Sequence, residues 1–178
     1  MSLPRQVAAS TVFVVLTLCG SAQAAGPGLG QEISEDELSA WNISIEPDGS
    51  GLPPGSGNVA AGADVYAAKC AQCHGETGTE GPTDPIAGGI GSLTTEAPVK
   101  TVGSFWPYAT TLFDYTRRAM PFDAPQSLTA DETYAVTAYV LHLNGILEED
   151  AVLDAASLPA IVMPNKEGFI SYWPDAPQ

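Results

Sequence analysis

Apolar and polar positions along the chain fall into short helical stretches separated by long aperiodic ones. Ser34-Glu35-Asp36-Glu37 has the S-x-x-E form of a capping box and predicts a short helix reaching Trp41. Pro47–Gly57 is rich in glycine and proline and reads as a linker or surface turn. A helix is predicted from about Ala60 to Ala71, where it meets a pair of cysteines. Residues 75–104 hold seven glycines and three prolines without a sustained period, a loop long enough to wrap something. A second helix fits roughly Tyr108–Ala119. The clearest helix starts at a second capping box, Thr129-Ala130-Asp131-Glu132. It continues through the apolar stripe Ala135, Val136, Tyr139, Val140 and Leu143 and stops at Asn144-Gly145. Residues 146–178 read as a Pro-rich tail with little periodicity, and no internal repeat is visible.

Composition sharpens this picture. The 178 residues include 18 Gly and 15 Pro, which argues for long loops rather than a helix bundle or a regular sheet. With 44% apolar residues the chain is still globular. Its formal charge is −15, so no basic stripe exists to neutralise nucleic-acid phosphate or to dock on an anionic membrane. The same charge favours a partner that presents a positive patch.

The N-terminus carries the marks of an export signal. Met1–Arg5 is short and positive, Val7–Leu18 is apolar, and Ala22-Gln23-Ala24 is a small-x-small cleavage site. The apolar run is nearer a dozen residues than the ~20 needed to span a bilayer, so a cleaved signal is expected over 1–24 and no membrane anchor after cleavage. Cys19 falls inside that signal, preceded by Leu18 where a lipoprotein signal needs a small residue. Residues 1–24 hold Arg5 and no acid, so their removal makes the remainder one unit more negative. Two cysteines then remain, Cys70 and Cys73, too close for an ordinary stabilising bridge. A periplasmic location is expected.

Cys70-Ala71-Gln72-Cys73-His74 is a C-x-x-C-H sequence, the attachment site of c-type haem. Two thiols three residues apart on one helical turn can bond both vinyl groups of a porphyrin, and the adjacent imidazole then meets the iron. A zinc half-site would need a second ligand pair, and only His142 is left to offer one. A redox-active dithiol would need a strand–helix setting that the flanks lack. The iron's other face takes a sixth ligand or stays open. Met120, in Ala119-Met120-Pro121-Phe122 between the second and third helices, is placed to supply one. Met163, in the tail, reads as a core residue, and His142 as a helix-surface residue rather than a second axial histidine.

With C-x-x-C-H on the first helix, a later Met-Pro and an aromatic on the last helix, the chain resembles the class I cytochromes c. Gly62, with Tyr66 one turn on, and Tyr139 fall where that family crosses its first and last helices. The likeness is stronger for the cytochrome subunits of periplasmic molybdenum sulfite dehydrogenases and for the first haem domain of the sulfane dehydrogenase cytochrome subunit. It runs over roughly residues 41–170, through the stretch Lys100–Ala109 (KTVGSFWPYA), Leu112–Tyr115, Arg118–Phe122, Leu128-Thr129, Tyr139–Leu141, Leu143–Ile146 and Met163-Pro164-Asn165. The sulfane dehydrogenase subunit has a second C-x-x-C-H domain after this region and this sequence has none, so a single-haem partner or a free carrier is expected.

The resemblance implies an all-α, class I cytochrome c fold: three to four short helices and long loops around one covalent haem c, with extended N- and C-terminal segments. The implied organisation is signal 1–24, N-terminal extension and linker 25–57, cytochrome domain 58–146 and C-terminal extension 147–178. Cys70 and Cys73 would be the thioether links, His74 the proximal ligand and Met120 the distal one. Trp106 and Tyr108 would either border the haem propionates or simply pack. Pro85 or Pro82 would present the carbonyl that receives the proximal imidazole N–H. Arg117 and Arg118 would pair a propionate, meet a partner or stand in solvent, and Glu148-Glu149-Asp150 would be a solvated acidic turn. The implied function is single-electron transfer rather than catalysis. Electrons would pass from a molybdenum dehydrogenase of sulfite or another sulfur compound to a downstream cytochrome or oxidase. The alternatives are a soluble carrier with another donor and a haem enzyme or sensor whose Met120 is labile.

Overall fold

Local capping sets where the helices begin. In the computed structural model, which describes residues 29–170, six α-helices and one small antiparallel strand pair appear among the described residues. The signal segment 1–24 and Cys19 lie outside the described residues. Residues 29–34 belong to an N-terminal unit of their own and are irregular.

In the second unit, α1 (Glu35–Trp41) carries three acids in its first turn and buries no residue. Strand β1 (Ser56–Asn58) leads directly into α2 (Val59–Lys69), whose N-cap Asn58 accepts from the Ala61 amide at 2.8 Å. The one-turn α3 (Ala71–His74) follows. The loop beyond it contains a 3-10 turn, Ser92–Thr94, and ends at α4 (Val102–Phe105). Helix α4 falls inside the stretch predicted to be loop. Its Thr101/Ser104 box, in which both reciprocal bonds are made, supplies the start that glycine content obscured. Helix α5 (Ala109–Ala119) and α6 (Ala130–Leu143) match their predicted spans, and the Thr129/Glu132 capping box is present. Gly145, at φ 67°, takes the left-handed turn that ends α6.

Helix α6 is the axis of the fold. Its residues Thr133–Ala138, Val140 and Leu141 are buried on all sides, not along one stripe, because α2, α5, β1 and β2 all pack on it. The crossing with α2 is tight at Gly62, where an added Cβ would run into the Ala135 carbonyl and Tyr139 Cβ. Tyr66 and Tyr139 pack beside it, their rings tilted by 55° with centroids 5.1 Å apart.

The segment read as an aperiodic tail is part of the core. Strand β2 (Val152–Asp154) pairs antiparallel with β1 in the register Ser56–Asp154, Gly57–Leu153, Asn58–Val152. Leu153, Leu158 and Met163 are each at most 1% exposed. Three residues spaced five apart, one in a short strand, one in a 3-10 turn and one beyond it, match neither the helical nor the strand period, yet all reach the same interior.

Candidate functional site

Helix α2 delivers the cysteines. It ends when the Cys70 amide bonds the Tyr66 carbonyl at 2.8 Å, and α3 restarts one residue later, so Cys70 and Cys73 stand on a separate single turn with His74. Neither cysteine is paired in a disulfide; Cys70 is half-buried and Cys73 exposed. Burial pushes the Cys70 thiol up to about 11. Among the described residues there is no cluster of three or more His, Cys, Asp or Glu able to hold a metal ion.

The loop after α3 folds back over this turn. Gly75 takes φ 76° and its carbonyl receives the Tyr66 hydroxyl at 2.9 Å. Thr83 then returns to the motif twice over, its amide at 3.2 Å and its hydroxyl at 2.8 Å from the Cys73 carbonyl. The same Thr83 Oγ1 lies 3.0 Å from His74 Nδ1. A hydroxyl has one proton, and here it is donated to Cys73; toward the imidazole Thr83 can only accept. The proton on His74 therefore sits on Nδ1, and Nε2 presents the lone pair a metal needs. Burial holds the His74 imidazole below its usual pKa, opposed by the Asp84 backbone carbonyl.

The carbonyl expected from Pro85 or Pro82 is thus not the partner this structure gives. Thr83 Oγ1 is the hydrogen-bond partner, with the Asp84 carbonyl also acting on the ring. The reason lies in the chain path: Ile86 and Ala87 turn their amides back to the Gly78 carbonyl, at 2.9 and 3.2 Å, which leaves residues 83–84 beside the ring. Pro85 itself is half-buried in that loop.

Met120 caps the C-terminus of α5, its amide bonded to the Thr116 carbonyl at 3.0 Å, and is half-buried. Trp106 and Tyr108 stand at the junction of α4 and α5. Trp106 meets Tyr115 edge-on with centroids 5.7 Å apart, and Tyr108, 36% exposed, is bridged through its backbone to Val162. Arg118 is paired with Asp114 at 2.8 Å within α5. Met163 lies in the core, and His142 is half-buried with Nδ1 2.9 Å from the Leu147 carbonyl. Helix α6 carries both arms of the site, since α2, which leads to the cysteines, and α5, which ends at Met120, pack on it.

Two contributors went unread in the sequence. Asn144 was legible only as a helix stop; in the structure it is 5% exposed and bonds the Gly88 amide and the Ile86 and Val140 carbonyls. Thr83 gave no signal at all, because its role depends on a loop path that has no period.

Two thiols spaced on one turn beside an imidazole with a free Nε2 fit a covalently attached haem. Comparison with known proteins points the same way. The family model described as Cytochrome c matches residues 59–144. No curated protein sequence matches the chain. Among solved structures it is similar to a chain of the sulfane dehydrogenase SoxCD from Paracoccus pantotrophus. The two are 48% identical with a TM-score of 0.77, over 84% of this chain and 72% of that one. The one-turn C-x-x-C-H helix, the crossing of α2 with α6 and this likeness agree: the chain belongs to the class I cytochromes c and is an electron-transfer protein carrying one covalently bound haem c.

Proposed function

We propose that this cytochrome is a periplasmic single-electron carrier with His74 and Met120 as axial ligands, and that its donor is a molybdenum dehydrogenase acting on sulfite or another sulfur compound. The haem supplies a one-electron ferric/ferrous couple. Cys70 and Cys73 fix its edge to α3, His74 offers Nε2, and Met120 offers a soft neutral sulfur that favours the ferrous state. Trp106 and Tyr108 would border the propionates, and the loop anchored by Thr83 and Asn144 would shield the ring from water. Two protein ligands leave no open position for a substrate, which is the reason to read a carrier rather than a catalyst.

The observation that supports His74 as a ligand is its hydrogen-bond pattern, which frees Nε2. The donor assignment is supported by 48% identity to a chain of a sulfane dehydrogenase structure, and the charge of −15 suits a partner with a basic docking patch. Residues 1–24 support export. A downstream cytochrome or oxidase would take the electron onward.

The test is haem absorbance in a native periplasmic preparation while sulfite, then thiosulfate, is added. Reduction at an enzymatic rate that disappears when the cytochrome is purified alone supports the donor; no reduction, with dithionite still effective, rejects it. Carbon monoxide resolves the sixth ligand: the reduced wild type should not bind it, whereas Met120→Ala should.

A further inference from the structure

We propose that the Thr83 hydroxyl is a positioning residue that fixes the plane and electron richness of His74 and thereby sets the reduction potential. The inference rests on His74 being the proximal ligand. Thr83 is exposed, yet its amide and hydroxyl are both bonded to the Cys73 carbonyl, so its Oγ1 is held in place rather than free to rotate. The approach that delivers it depends on Gly81, where a Cβ would run into the Cys73 carbonyl and the backbone of His74. The preceding turn is tied by Thr77, whose amide and hydroxyl both donate to the Glu80 carboxylate.

The electronic consequence follows from the direction of the bonds. Thr83 donates its proton to Cys73, which polarises the hydroxyl and strengthens it as an acceptor of the His74 Nδ1 proton. Drawing that proton away makes the imidazole a better donor through Nε2, which favours ferric over ferrous iron.

The experiment is spectroelectrochemical titration of the haem-loaded full-length protein beside Thr83→Val and Thr83→Ser. Valine keeps the shape and removes the acceptor. At a fixed ambient potential its ferrous-to-ferric ratio should rise about threefold, an upward shift of roughly 30 mV for a one-electron couple. Serine keeps the hydroxyl and should restore the wild-type value. In proton NMR of the reduced protein, the His74 Nδ1 proton should exchange with solvent faster in the valine variant only. A valine variant with the wild-type potential and an intact low-spin spectrum overturns the inference. A serine variant shifted as far as valine also overturns it, since the role would then be structural packing. A wild type lacking the low-spin six-coordinate spectrum would overturn the axial assignment itself, a distinct failure visible before any variant is made.

Discussion

Asn144 ties the end of α6 to the loop that follows α3. Its Oδ1 receives the Gly88 amide at 3.1 Å, and its Nδ2 donates to the Ile86 carbonyl at 3.2 Å and the Val140 carbonyl at 2.9 Å. Its side chain also fills the space against Gly103, where a Cβ would collide with it. Asn144→Ala removes all three bonds; the Ile86 and Val140 carbonyls keep the Val102 and Asn144 amides, so the loss falls mainly on the Gly88 amide and should cost about 1–3 kcal/mol in denaturant unfolding. Tyr66 makes a pH prediction at the same scale. Burial is the main cause that raises its phenol from 10.0 to about 12, and that cause persists when Cys70 is bonded to haem. A raised folded pKa means the contribution is fully present below pH 10 and is lost as pH rises through about 12. Wild-type stability should therefore fall across that window more steeply than that of Tyr66→Phe. The substitution also removes the bond to the Gly75 carbonyl, a loss of about 1 kcal/mol that does not depend on pH below that window.

At the scale of elements, the segment after residue 146 completes the interior. Strand β2 closes on β1, and Leu153, Leu158 and Met163 are buried to 1% exposure or less. Removing one buried large side chain costs about 2–5 kcal/mol, and a domain holds only about 5–15 in reserve. A chain trimmed to 58–146 should therefore lose its cooperative thermal transition, measured by circular dichroism. A sharp melt within a few degrees of the full chain would mean that these contacts are dispensable. The capping boxes at Thr101 and Thr129 were both written in local sequence, T-x-x-S and T-x-x-E, because a cap is an exchange between residues three apart. The pairing of β1 with β2 joins residues nearly a hundred positions apart, and nothing local encodes it.

For the molecule as a whole, charge governs encounter. Two of the few bases are already engaged, Lys69 with Glu132 at 2.7 Å and Arg118 with Asp114 at 2.8 Å, so the acidic excess is what a partner meets. Association with a basic redox partner should slow about tenfold or more between low and physiological ionic strength, read by stopped-flow reduction. The covalent chemistry of this protein was legible in five consecutive residues, Cys70–His74, because thioether attachment needs only spacing within one helical turn. The helices were legible where capping and apolar spacing are local, as in α5 and α6. Tertiary structure alone decided that α6 is buried all round, that the C-terminal segment belongs to the core, and that the Thr83 hydroxyl meets the His74 imidazole. Each of those depends on groups brought together by chain reversal, where burial and hydrogen bonding act on proximity in space and leave no period along the sequence.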